Sequence, residues 1–366
     1  MTQRLKSLLT QLMLIPGLSG HEDRVRRAIA SHLGALGLAH RTDRLGNLIC
    51  TLDGDPDRPS VMVFAHMDQL GFVVRKIEAQ GLIRVTRLGG VPERALAAQP
   101  VLVCTRNGDL PAIISNKTHH ATSPEEKYTV VKTPDLAIDA GFASKQDAMA
   151  AGIRIGDPVV YRPAATELAG GRITGTTIDD RAGCAVLIEL ARALKDRPDR
   201  PGVHLVFSVQ EEFNLRGAVV AAQTLKPDIA IQIDIMLASD TPDTADIGDM
   251  HLGQGPGISL YSFHGRGTLN GVIPHPAMVR LMEDTAEAHN IPLHRSAQTG
   301  ILTDLSYVQL VGEGVASIDV GFPMRYAHSA NELCDLADLD ALTRLLWAAI
   351  PDIRPDFPLT RDKADP

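Results

Sequence analysis

Cysteine is scarce in this chain and never closely spaced: Cys50, Cys104, Cys184 and Cys334 lie far apart, with no CxxC pair. That argues against a disulfide framework. It is the usage of a reduced compartment, so a cytoplasmic protein with small buried thiols is expected. Aromatic residues make up only 4 % of the chain, which leaves little for base-stacking platforms. No run of Lys or Arg occurs, and a net charge of −8 argues against a nucleic-acid surface. No stretch approaches ~20 apolar residues, so no membrane span is expected. Arg4 and Lys6 precede a leucine-rich start, but Thr10 and Gln11 interrupt it, and Leu5, Leu8, Leu9 and Leu12 share one helical face. This predicts an amphipathic first helix rather than a signal peptide. Internal repeats and low-complexity segments are lacking as well.

What is present is a chain of 366 residues, 44 % hydrophobic and 22 % charged. That composition suits a soluble globular protein of two domains, or of one large domain with an insertion. A helix over residues 2–14 ends at Pro16-Gly17, and Ser19-Gly20-His21-Glu22 reads as a capping box opening a second helix to about Leu36. Val61 to Ala65 is a continuous apolar run, the pattern of a strand in a parallel sheet covered on both faces. From about Phe72 to Pro163 the texture changes to short β-branched runs punctuated by Gly and Pro, with one helix near Ser144–Ala151. This predicts a small all-β barrel or sandwich inserted into an α/β domain, with His119-His120 in an exposed loop. Residues 1–71 and 164–366 then form the α/β domain, and 72–163 the insert. Later elements follow as a buried helix over 182–194, a strand over 203–209, a helix over 215–225 and a strand over 229–233 closed by Asp234. Residues 244–273 read as irregular; a helix starts at Pro274, with a short strand at 292–296 and a helix at 304–310. A strand at 315–320, a helix from Asp338 to Ile350 and a surface tail complete the chain.

His66, Asp179, Glu212, Asp234 and His328 are the candidate metal ligands. His66, Glu212 and Asp234 follow apolar strands, Asp179 opens a helix where the macrodipole favours a carboxylate, and His328 sits in a loop after a strand. In parallel sheets, ligands collect beyond the carboxyl ends of the strands, so one sheet edge would gather all five. Two imidazoles and three carboxylates suit Zn²⁺, Co²⁺ or Mn²⁺ better than Ca²⁺ or Mg²⁺. With one carboxylate bridging, five groups supply three ligands to each of two metals and leave a position open for water on each. Paired metals ~3.5–4 Å apart polarise a carbonyl and acidify a water. A further carboxylate must then carry the proton to the leaving amine, and Glu211, beside a ligand, fits that task. Asp68, two residues past His66, is placed to accept the other ring N–H of that histidine.

The segments AHMDQLGF, TTIDDRAGC, SVQEEFNLRGA, the ASDTP turn after Asp234 and RYAHSANEL together resemble the M42 family of dinuclear metallo-aminopeptidases, which includes the tetrahedral, TET-type enzymes. The resemblance runs from SGHE near the N-terminus to RYAHSANEL. It implies an αβα three-layer sandwich carrying an inserted β-barrel. It implies that His66 and Asp234 hold one metal, that Glu212 and His328 hold the other and that Asp179 bridges. Glu211 would be the general base and acid, Asp68 would orient His66, and Asp180 would support the fold rather than bind metal. Short peptides are the implied substrates. A dimer-based homo-oligomer, up to a tetrahedral dodecamer, is the implied assembly, with the insert taking part in it.

Two segments depart from the family pattern. Asn214 stands where glycine is common, and Thr299 to Asp304 replaces a Gly-Gly-Thr-Asp-Ala segment of the substrate pocket. Neither touches a ligand or the base; both bear on specificity. Arg216, Asn214 and Arg325 could favour an acidic side chain, but Arg216 and Arg325 are family-like and are read as structural. The alternatives to an aminopeptidase are a deacylase acting on N-acyl amino acids with the same metal centre, and a catalytically silent scaffold of the same fold. A glycosidase fits less well, because the strong carboxylates here are better used by metal.

Overall fold

The computed structural model describes residues 1–265 and 267–363. Its main sheet is built on four parallel strands lying side by side in the order Val203–Ser208, Val61–His66, Ile229–Leu237 and Ala316–Arg325. Antiparallel strands flank this centre, Leu48–Leu52 on one side and Glu332–Asp335 on the other, so the sheet is mixed rather than purely parallel.

Side-chain alternation splits the apolar runs between two cores. Val61, Val63 and Ala65 join one cluster while Met62 and Phe64 join another, and Leu205 and Val206 divide the same way. Consecutive side chains of a strand point to opposite faces, so a continuous apolar run needs cover on both. Helices Thr2–Met13, Ile178–Leu194, Pro276–Ala288 and Leu336–Ala349 cover one face; Gly217–Leu225 and Leu305–Val308 cover the other. The result is the αβα sandwich expected from the motifs. Helix Ile178–Leu194 is buried from Ile178 through Ala191, as its apolar circumference requires.

The chain leaves the sheet after His66 and enters a closed barrel of six strands, running from Gly71–Ile77 to Pro158–Tyr161. A separate apolar core fills it, with Phe72, Val74, Val103 and Val159 at its centre. Helix Lys145–Ala150 is capped by the Ser144 side chain, which accepts from the Asp147 amide. His119 and His120 are exposed, as expected. Arg24 ties the second helix to the barrel through two bonds to Asp109, at 2.6 and 2.8 Å.

Several local expectations are corrected. Ser19 caps nothing. Helix Asp23–Ala35 has no side-chain cap, because Ser19 and Glu22 are drawn into longer-range bonds described below. Asp234 does not end its strand, which continues to Leu237 beside Ala316–Arg325. Within residues 244–273, read as irregular, Gly257–Phe263 is a strand, as is the short Gly271–Val272. Glu332–Asp335 was not expected as a strand. The C-terminal tail is partly anchored: Ile353 is fully buried and Phe357 packs on the main core.

Candidate active site

The site forms where the central strands end. His66 is the last residue of Val61–His66, and Asp179 opens helix Ile178–Leu194. Glu211 and Glu212 follow Val203–Ser208, and His328 lies in the connection between Ala316–Arg325 and Glu332–Asp335. Asp234 reaches the site from mid-strand because its pairing with Val61–His66 stops at Gln232, which leaves that side open. All five expected ligands come together, lining one cleft of about 450 Å³ with Glu211.

Asp179 is central. Its Oδ1 is 3.0 Å from His66 Nε2, and its Oδ2 is 3.4 Å from His328 Nε2. Glu212 Oε1 lies 3.7 Å from the same His328 nitrogen. Two sets of ligating atoms each lie within 4.8 Å of one another, His66 with Asp180 and Asp234, and Asp179 with Glu212 and His328. Asp180 thus comes closer to the metal-ligating geometry than its expected supporting role implied. Both its oxygens, however, also accept main-chain N–H groups, from Gly183 at 3.0 Å and His66 at 3.3 Å.

The electrostatics fit a cation. Burial, then repulsion from Asp179, pushes Asp234 up to about 7. Burial also raises Glu212, and it raises Asp180 and Glu211 well above the usual carboxylate range. Asp179 goes the other way despite its burial, held down by hydrogen bonds from His328 and His66. Burial alone would lower His66, but Asp179 and Asp68 raise it well above its ordinary value. Buried carboxylates crowded together with only two imidazoles strain against ionising together, and bound divalent cations relieve that strain. The donor set therefore fits metal.

The glutamate segment is held by its amides. Val209 N–H donates to Asn47 Oδ1 at 3.0 Å, and Gln210 N–H to Glu22 Oε1 at 3.1 Å. The Glu211 and Glu212 N–H groups both donate to the Asp68 carboxylate, each at 3.0 Å. Ser19 Oγ adds a third bond to Asp68 at 2.8 Å. Asp68 therefore does more than its expected task. His66 Nδ1 lies 3.2 Å from the Asp68 carbonyl and 3.5 Å from its carboxylate, so the main-chain oxygen is the nearer acceptor. Ser19, Glu22, Asn47 and Glu332 are site-supporting residues that sequence reasoning missed. Only the Ser19–Glu22 signal was visible, and it was read as a helix cap.

Left-handed backbone clusters here: Gln210 has φ 56°, Asn214 69° and His328 67°. Asn tolerates that conformation better than most residues, which accounts for Asn214 where a glycine is common. Asn214 lines the cleft. Arg325 does not act on substrate: it is spent on a two-pronged pair with Asp240, both bonds at 2.7 Å. Arg216 lies over the Phe213 ring, 5.5 Å from its centre.

A barrel-bearing αβα sandwich with a cleft of histidines and carboxylates at its strand ends defines a metal-dependent peptide hydrolase. The chain belongs to the M42 peptidase family, whose model, described as M42 glutamyl aminopeptidase, matches residues 46–345. It is similar to the SgcX protein of Escherichia coli strain K12, at 36% identity over 363 residues, covering 99% of this chain and 97% of that one. It is also similar to the lysyl aminopeptidase of Pyrococcus furiosus, at 31% identity, covering 96% of this chain and 98% of that one. Among solved structures, the Pyrococcus horikoshii TET1 peptidase, which can assemble into a tetrahedron or a large octahedral shell, superposes with a TM-score of 0.85. Its identity is 29%, over 94% of this chain and 99% of that chain. The protein is thus an aminopeptidase, as its motifs implied.

Proposed function

We propose that this aminopeptidase works with two divalent metal ions, Zn²⁺, Co²⁺ or Mn²⁺, and with Glu211 as its general base and acid. His66 and Asp234 would hold one ion, Glu212 and His328 the other, with Asp179 shared and Asp180 tethering the backbone beneath. The carrying observation is Asp179, whose two oxygens face two different histidines at 3.0 and 3.4 Å. The ions would supply a polarised carbonyl and an acidified water.

This chain's own groups do the rest. Glu211 is buried and kept from ionising readily, by burial first and then by Glu212 and other neighbouring carboxylates. A carboxylate in such a place takes a proton from the attacking water and returns it to the leaving amine. Asp68 fixes the Glu211 and Glu212 backbone, so base and ligand keep their division of labour.

Away from the ligand cluster, the described cleft wall includes Leu215, Ile235, Leu237, Ile301 and Leu302. Such a wall favours an uncharged aliphatic N-terminal side chain. The barrel, taken as residues 72–163, would serve assembly and the cleft edge. The chain would act in the cytoplasm as a dimer-based homo-oligomer.

The test is a panel of aminoacyl and N-acyl chromogenic substrates, with Co²⁺, Zn²⁺ and Mn²⁺ added separately. Free-amine substrates should be cleaved, with Leu and Met ahead of Glu and Lys. Turnover of N-acyl substrates alone would point instead to a deacylase, and a complete ligand set that binds no metal to a silent scaffold.

A further inference from the structure

Glu332 has no part in the chemistry above, yet it sits against the centre. It is 3 % exposed and begins the short strand Glu332–Asp335. Its Oε1 accepts the His328 N–H at 2.9 Å, and its Oε2 accepts the Asp179 N–H at 3.1 Å. One carboxyl group thus bonds the main chain of two proposed ligands, Asp179, 153 residues from Glu332 along the chain, and His328, four residues from it. Two main-chain N–H groups bonded to the two oxygens of one buried carboxyl group are fixed relative to each other, so this clasp sets a distance. His328 also holds a left-handed backbone, φ 67°, which a non-glycine residue keeps only when its surroundings impose it.

A second observation links this clasp to the barrel. Tyr161 ends the strand Pro158–Tyr161, is 2 % exposed, and its hydroxyl has no hydrogen-bond partner among the described residues. Tyr161, Glu332, Asp179 and Glu212 line one small shared cavity. A polar cavity of that kind suits a single bridging water.

We propose that Glu332 is a positioning residue for the metal centre: it fixes the spacing of Asp179 and His328, and Tyr161 anchors it to the barrel through one water. The inference rests on the metal reading above. Ligands held by such outer contacts lose metal affinity when the contact is removed, by roughly 10–100-fold.

The experiment uses full-length wild type, Glu332→Gln and Tyr161→Phe. Each is stripped of metal, checked for fold by circular dichroism, and titrated with Zn²⁺ against a chromophoric chelator. Glu332→Gln exchanges one acceptor oxygen for a donor with little change of shape. It should lose roughly 10–100-fold in affinity at one of two zinc sites. Tyr161→Phe should show a smaller loss at the same site. Two zinc ions held by Glu332→Gln with wild-type affinity would overturn the proposal. So would a Glu332→Gln chain that fails to fold while Tyr161→Phe binds zinc as wild type does. If wild type itself binds no zinc, the metal reading fails first and takes this inference with it.

Discussion

Glu211 and Glu212 are neighbours in sequence with different surroundings, and the difference is testable. Glu212 lies 3.7 Å from His328, among the ligating atoms, whereas Glu211 is buried beside the cluster. Glu211→Gln should keep its metal and lose about 10²–10⁴-fold in kcat, measured by turnover alongside metal analysis. A variant that hydrolyses peptides at the wild-type rate would remove Glu211 from the mechanism. Metal affinity should also depend on pH in a fixed direction. Asp234, raised to about 7 chiefly by burial, holds a proton that a metal must displace. His66 and His328 are raised well above their ordinary values by neighbouring carboxylates, which outweigh burial, and they too must lose a proton to ligate. Both effects weaken binding in acid, so affinity should climb as pH rises through about 7, with proton release. Calorimetry in two buffers of different ionisation enthalpy reads that release directly. His66, Asp179, Glu212 and Asp234 were legible as residues because each punctuates an apolar run or opens a helix. Glu332 was not, since a carboxylate two residues before a cysteine carries no such mark.

At the scale of elements, the decisive piece is the turn from Val209 to Glu212, whose four amides bond to Asn47, Glu22 and Asp68. A strand end normally passes its amides to a neighbouring strand or to water. Here side chains from distant segments take them, which fixes the backbone of the two adjacent glutamates. Asn47 is fully buried and also donates to the Gly217 carbonyl at 3.0 Å. Asn47→Ala should therefore leave the buried Val209 N–H without its acceptor and cost about 1–3 kcal/mol, read from urea denaturation. The same long-range demand explains the misread capping box: Ser19 is drawn to Asp68, and Glu22 Oε1, besides accepting the neighbouring Gly20 N–H at 2.7 Å, accepts the distant Gln210 N–H. Likewise, Asp234 was read as a strand end because the apolar run stops there. The strand goes on because Ala316–Arg325 continues to supply hydrogen bonds.

At the scale of the molecule, the barrel touches the catalytic sandwich at two places that matter. Arg24 grips Asp109 on its outside, and Tyr161 lies against the cavity under Glu332. The Pyrococcus horikoshii TET1 peptidase can assemble into a tetrahedron or a large octahedral shell, and a homo-oligomer is proposed for this chain. Light scattering on the purified chain should give a mass that is an even multiple of 39.3 kDa. A monomer at micromolar concentration would set aside the proposed assembly. The sequence by itself determined the class of fold, the change of texture at the barrel and the candidate residues that the structure gathers in one cleft. These follow from hydrophobic periodicity and from polar residues that interrupt it, which are properties of short windows. Only the tertiary structure decided which oxygen of Asp179 faces which histidine, that Asp180 also lies among the ligating atoms, and that Asp68 and Glu332 each bind two backbone amides. Those facts depend on distances between segments far apart in the chain, and hydrogen bonds are set by distance rather than by order along it.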